Sequence, residues 1–327
     1  METRVAATHS PETLAAAVAG ACRCLEAGEV VALPTETVYG LAADALSPAA
    51  VLKIFEAKER PFFDPLIVHL PTQDWLFRLT ELPARSQATV VALIAKFWPG
   101  PLTLVLPRSA RVPDLVTSGL ETVALRMSAH PVFGAVVERF AKPLAAPSAN
   151  RFGRISPTSA AHVQTELGGR IGLIVDGGMA VHGVESTIVA VDGTRLCILR
   201  SGPITLEELR EFGQLSAAVS DDRLQAPGQL PSHYAPRTPL TLLEGLARDE
   251  GIRVGLLAFR AAPEGASFGH VEVLSPSGDL REAASVLFAK LRRLDEVGLD
   301  RIVAERVPET GLGVAIMDRL RRAAHRI

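Results

Sequence analysis

Short apolar runs that end at proline or glycine and alternate with helical periodicities predict a mixed α/β protein built on a large twisted sheet. A proline-rich break near residues 226–236, followed by a second and shorter alternation, predicts a further small α/β unit. The 327 residues and a hydrophobic share of 48% leave room for two cores.

The elements follow in order. Ser10-Pro11-Glu12 starts a helix: Ser10 can cap it, Pro11 suits its first position, and Glu12 sits where the helix dipole favours a negative charge. Val30-Val31-Ala32-Leu33, closed by Pro34, reads as a buried strand. Residues 48–55 are helical, 65–70 a strand, 87–97 a helix, and 131–140 another helix. Strands are expected at 102–106, 122–127, 144–146, 173–175, 186–191 and 196–199. A short polar helix near Glu207 leads into the extended stretch Ala226 to Pro236. Strands at 240–243, 253–259, 271–274 and 301–306, with helices at 280–297 and 314–324, give the tail the order of a small Rossmann-like unit. The expected divisions are 1–206, a connecting segment at 207–238, and 239–327.

Composition narrows the function. Lys and Arg total 34 against 36 Asp and Glu, a net charge of -2, so no global basic field drives nucleic-acid binding and any RNA contact has to be local. Cys22, Cys24 and Cys197 are too few and too irregular for a disulfide framework or a closed zinc site. The N-terminal region has no basic segment leading into a continuous apolar block, and no apolar run approaches the ~20 residues that span a bilayer. A cytoplasmic protein without membrane contact is expected.

No phosphate loop of the GxxxxGK[ST] type occurs, and Gly311-Leu312-Gly313 lacks the rest of a dinucleotide fingerprint. The chemistry has to come from scattered polar residues. In Lys58-Glu59-Arg60-Pro61, Pro61 biases Arg60 out of the helical region, so Lys58 and Arg60 can converge on one polyanion or simply solvate a helix end. Thr122, Ala124 and Arg126 share one face of their strand, and the arginine needs either an anionic ligand or a structural acid. Ser148 and Asn150 project to one side after an apolar strand, as ligand contacts or as turn caps. Thr35 and Thr37 after Leu33, and the cluster Glu185-Ser186-Thr187, read as site residues or as turn chemistry. His69 sits on an apolar strand, where a core histidine is the simpler reading.

Taken jointly, PTETVYGL at 34–41, KERPFFDPLIVH at 58–69, FWPGPLTLVL at 97–106, VALRMSAHP at 123–131, APSANRFGRISPT at 146–158 and ESTIV at 185–189 resemble the Sua5/YrdC/YciO family in its own order. PGQLPSHYAP at 227–236 and GLGVAIMDRLRRAA at 311–324 resemble its longer, two-domain Sua5 form. The resemblance implies a YrdC-like catalytic domain, a connecting lid and a C-terminal Sua5 domain. It also implies synthesis of L-threonylcarbamoyl-AMP and diphosphate from ATP, threonine and bicarbonate, with Mg2+ accompanying the nucleotide and no dedicated protein metal site. The product would pass to a tRNA threonylcarbamoyl transferase of the Kae1/TsaD type, for the adenosine beside the anticodon. The family's KxR and SxN signature falls on Lys58, Arg60, Ser148 and Asn150. By the same similarity threonine would meet Thr35, His69, Arg126, Ser148 and Ser186. ATP would meet Lys58, Arg60, Asp64, Thr122, Asn150, Thr158, Arg200, His233 and Tyr234. The alternative in another class is a noncatalytic RNA-binding or ribosome-associated factor.

Overall fold

A computed structural model of the chain describes residues 2–217, 226–228, 230, 234–243, 252–263 and 268–325. The first part carries β1 (Arg4–Ala7), α1 (Pro11–Glu26), β2 (Val31–Leu33), β3 (Gly40–Asp44), α2 (Pro48–Lys58), β4 (Ile67–His69), α3 (Asp74–Leu79), α4 (Ala84–Phe97) and β5 (Leu102–Pro107). It continues through α5 (Asp114–Thr117), β6 (Thr122–Arg126), α6 (Pro131–Phe140), β7 (Leu144–Ala145), α7 (Ala160–Leu167), β8 (Leu173–Asp176), β9 (Thr187–Asp192), β10 (Arg195–Arg200), α8 (Leu206–Leu209) and β11 (Gln214–Ala217). The second part carries β12 (Leu240–Leu242), β13 (Val254–Ala258), β14 (His270–Val273), α9 (Leu280–Glu296), β15 (Arg301–Ala304) and α10 (Leu312–Ala324).

Local chemistry sets the helix ends. Ser10 caps α1 in a reciprocal box with Thr13, and Pro11 stands at the first helical position. Ser47 and Pro48 repeat that start for α2, which Glu59 closes in the left-handed region at φ 53°. That reversal lets Lys58 and Arg60 leave the helix end in different directions.

The strands of the first part form one mixed sheet in the order β1-β8-β2-β3-β7-β4-β6-β5-β9-β10-β11. Alternation divides its residues. Val68, Leu104, Leu125 and Val189 enter the large core that also takes Ile54 of α2, Leu93 of α4 and Val163 of α7. On the opposite face, α1 and α6 cover Val31, Leu33, Ala42 and Leu144. The rest of that face carries a smaller apolar patch of Ile67, Val105, Ala124, Ile188 and Leu199, on which, among the described residues, Ala226 of the connecting segment packs rather than a helix residue. A groove is left there, floored by β4, β6, β5 and β9.

The second sheet is parallel throughout, in the order β12-β15-β13-β14. α9 and α10 pack on it through Leu287, Phe288, Leu291, Ile316 and Leu320. Val38, Ile155 and Val184 of the first part belong to the same apolar cluster, as does Tyr234. The two parts therefore share buried surface. An ion pair of 3.0 Å between Arg292 of α9 and Glu166 of α7 lies in that junction.

Candidate active site

The groove narrows to a cavity of about 40 Å³ where β4 and β6 end. His69 and Arg126 are register partners in that parallel pair, so both side chains arrive at the same end of the floor. Thr35, Thr37 and Val38 form one wall, and Ala146, Pro147 and Ser148 a second. Arg60, Glu185 and Arg200 add charge, and Pro227, Gly228 and Tyr234 of the connecting segment line the cavity as well.

Three arginines line this space in three electrostatic settings. Arg126 donates to Glu36 at 2.7 Å, to the Thr37 hydroxyl at 3.0 Å and to the Gly100 carbonyl at 3.3 Å. Burial pushes the Glu36 carboxyl up, but Arg126 and a hydrogen bond from Ser128 outweigh it and hold the group at about 2. The arginine on an apolar strand thus has its structural acid. Arg60 lies 2.8 Å from Asp64 and donates to the Asp64 and Pro65 carbonyls, which fixes the turn after α2. Arg200 differs: it donates to the Ser186 carbonyl and hydroxyl, each at 3.0 Å, and to the Pro227 carbonyl at 3.2 Å. Among the described residues no carboxylate pairs directly with Arg200, so its charge is the least offset of the three. A register irregularity in β10 between Ile198 and Arg200 accompanies its approach to the cavity.

His69 is buried beside the Phe133 ring at 4.6 Å between centroids. Burial, then the nearby Arg126 charge, push its pKa down to about 3, so the ring is neutral at physiological pH. The Thr35 hydroxyl donates to the Val38 carbonyl at 2.6 Å and accepts from the Thr37 and Val38 amides. It shapes the turn that faces the cavity. Glu185 accepts from the Ser156 hydroxyl and, at 2.8 Å, from Arg319.

Other expected residues stand behind the walls. The Lys58 ammonium is buried and donates to the carbonyls of Ser148 and Asn150, the latter at 2.5 Å, so it points at the backbone of the SxN segment rather than into the cavity. Burial, then the charge of Arg60, lower its pKa well below the usual lysine value. Asn150 holds its own loop by donating to the Arg151 and Arg154 carbonyls, with its Oδ1 unpartnered among the described residues. Asp64 lies beneath Arg60, and Ser186 shares a 2.7 Å hydrogen bond with Thr103 under Arg200. The Thr158 amide donates to His162 on a neighbouring helix. Thr122 opens β6 at its other end and lines a separate cavity with Val105, Ala190 and Arg195. His233 lies outside the described residues.

Sequence reasoning gave no role to Glu36 or Arg319. Glu36 had a signal, because an arginine on an apolar strand demands an acid and the PTETVYG segment supplies one. Arg319 had a fainter one: it follows Ile316 by three residues on α10 and so falls on that helix's buried stripe.

A family model named Sua5_yciO_yrdC, described as "Telomere recombination", matches residues 23–202. A second, described as the C-terminal domain of threonylcarbamoyl-AMP synthase, matches residues 204–325. The chain belongs to the Sua5/YrdC/YciO family. Within the family it is 41% identical to the threonylcarbamoyl-AMP synthase of Pyrococcus abyssi, over 91% of each chain. It is 42% identical to that of Bacillus subtilis, over 94% of this chain and 92% of the relative. Its structure resembles that of P. abyssi Sua5 complexed with L-threonine, with a TM-score of 0.88 at 38% identity over 99% of this chain and 98% of the other. E. coli YciO, at 17% identity and a TM-score of 0.51, covers 62% of this chain and shares the fold of that portion.

Proposed function

We propose that the chain is a threonylcarbamoyl-AMP synthase, joining ATP, L-threonine and bicarbonate into L-threonylcarbamoyl-AMP with release of diphosphate. The observation that carries the reading is the meeting of Thr35, Arg60, His69, Arg126, Ser148, Arg200 and Tyr234, from stretches spread along the chain, around one cavity at a sheet end. Relatives of that name match nearly the whole chain.

Threonine's amine combines with bicarbonate, losing water, or with dissolved CO2, losing a proton, to give a carbamate. The carbamate oxygen attacks the α-phosphorus of ATP, the bond to the bridging oxygen breaks, and diphosphate leaves with the electron pair. Two anions have to be aligned against their repulsion, so positioning and fixed positive charge are the main catalytic needs. Arg200 suits that task, since its other partners are neutral oxygens. Arg60 adds a fork held by Asp64. Arg126, its Nη2 held by Glu36 and Thr37 and its Nε by the Gly100 carbonyl, offers its Nη1 to the amino-acid carboxylate. Neutral His69, its Nδ1 unpartnered among the described residues, offers a hydrogen-bonding group rather than a charge. Lys58 acts from behind by holding Ser148 and Asn150 in place.

Magnesium fits as part of the nucleotide substrate. Among the described residues no three His, Cys, Asp or Glu side chains are grouped to hold a metal, and the site's carboxylates Glu36, Asp64 and Glu185 already face arginines. The mixed phosphoric anhydride formed is sensitive to water, and the lining of the cavity by Pro227, Gly228 and Tyr234 supports a covering role for their segment. Transfer of the product to tRNA would fall to a partner transferase of the Kae1/TsaD type, and a cytoplasmic setting is part of the same proposal. Among the described residues no helix is long and apolar enough to cross a membrane. The test is diphosphate release from ATP with threonine and bicarbonate, each omitted in turn.

A further inference from the structure

Arg319 is the largest fully buried side chain among the described residues, and it comes from the smaller unit. Its Nε donates to Glu185 at 2.8 Å and its Nη2 to the Ser201 carbonyl at 3.0 Å, with Asp318 at 2.7 Å from Nη1. Its guanidinium carbon also lies 5.2 Å over the ring of Tyr234. Glu185 and Tyr234 line the cavity directly, and Ser201 follows Arg200, which lines it too. One side chain of α10 thus touches three pieces of the proposed active-site wall.

A carboxylate in the wall of a cavity built for anions is a liability. Glu185 is buried, and its two oxygens are taken by the Ser156 hydroxyl and the Arg319 guanidinium. Without a cation behind it, its charge would repel a polyphosphate held by Arg200. Glu185 nevertheless has a structural purpose, since it bridges the loop at Ser156 to α10.

We infer that Arg319 is a positioning residue by which the C-terminal unit neutralises Glu185 and seats Tyr234, so that the cavity accepts a nucleotide only when α10 is docked. The inference rests on the proposed ATP-dependent synthesis, and it assigns the smaller unit a part in forming the site.

The test compares the full-length wild type with Arg319→Met, Glu185→Gln and the double variant Glu185→Gln/Arg319→Met. Calorimetry reads ATP affinity, threonine-dependent diphosphate release reads turnover, and thermal melting reads folding. Arg319→Met exposes the site to an unbalanced carboxylate and should weaken ATP binding about tenfold or more. In the double variant the buried ion pair is replaced by neutral groups of similar size, a change that buried pairs tolerate. It should bind ATP within about threefold of wild type, a rescue that a purely structural role does not give. If Arg319→Met fails to fold, the double variant decides alone: a folded protein with restored affinity supports the inference, and one with ATP affinity lowered about tenfold or failing to fold overturns it. Unchanged affinity in a folded Arg319→Met overturns it as well, while leaving the synthase reading intact. A wild type that binds ATP with this variant pattern yet releases no threonine-dependent diphosphate overturns the synthase reading and leaves the role of Arg319 standing. A wild type that binds no ATP overturns both.

Discussion

Tyr234→Ala is the sharpest probe of the cover. The ring is 1% exposed, stacks on Phe288 at 5.6 Å and lies under the Arg319 guanidinium at 5.2 Å. Its backbone sits at φ 63°, sparsely populated for an aromatic residue, so the surrounding contacts hold it there. Truncating a buried aromatic side chain costs about 3–5 kcal/mol. Residue 234 lies in the connecting segment rather than in a helix or strand, so most of that loss falls on docking of the segment and less on the cores. Three kcal/mol is about two powers of ten in the ratio of docked to undocked segment. Hydrogen exchange reads this directly, because the Ala235 amide donates to the Gly153 carbonyl at 2.8 Å. Exchange at 235 should quicken about 100-fold, while amides of β6 and β13 keep their protection. Turnover should fall, or more adenylate should be lost to water per diphosphate released. Exchange at 235 within about threefold of wild type, together with unchanged kinetics, would refute the cover.

Gly228→Ala probes the same surface from the other side. Gly228 has φ 82°, and a Cβ there would meet the Tyr234 hydroxyl at 2.6 Å and Arg200 at 3.2 Å, so the variant should keep its melting temperature within a few degrees and lose turnover; full activity would contradict the packing. Lys58→Met should lower stability by about 3 kcal/mol in denaturant, because the Ser148 and Asn150 carbonyls both lose their donor. An unchanged midpoint with a raised KM for ATP would instead show Lys58 reaching the nucleotide. Glu36, held at about 2 rather than 4.5, contributes about 3 kcal/mol that is fully present above pH 4.5 and is lost as pH falls toward 2. The stability gap between wild type and Glu36→Gln should therefore shrink between pH 5 and pH 2, and a constant gap would sink the ion-pair account. Arg200→Gln should raise KM for ATP about tenfold or more, since it removes the least offset cation of the site; an unchanged KM would place the phosphates elsewhere.

Much of the fold was legible because apolar runs and helix caps are local signals. Val31–Leu33, Leu102–Pro107 and Thr187–Asp192 announce themselves by composition, and Ser10-Pro11 marks its helix without help from tertiary structure. β3 did not, because Gly40-Leu41-Ala42-Ala43-Asp44 has weak strand propensity and is held by β2 and β7. β1 is largely exposed and exists through its pairing with β8, more than 160 residues away in register. The sheet order is a set of such distant pairings, which no local pattern encodes.

The site was legible where a polar residue interrupted an apolar strand. Arg126 was found that way and Ser148 by its place after an apolar strand, while His69 read more simply as a core histidine and had a site role only by family resemblance; all three line the cavity. Direction was harder to read. Lys58 and Arg60 read as converging on one polyanion or as solvating a helix end, but Glu59 in the left-handed region separates them, and buried Lys58 turns to the Ser148 and Asn150 carbonyls. Glu36 and Arg319 matter through partners 90 and 134 positions away, and only folding brings those together.

The central claim is that these side chains together activate threonine with ATP, and diphosphate release tests it most directly. Wild type should liberate diphosphate only when ATP, threonine and bicarbonate are all present, and Arg60→Ala should lose most of that release. Diphosphate formed equally well without threonine, or salt-sensitive RNA binding with no diphosphate at all, would contradict the account.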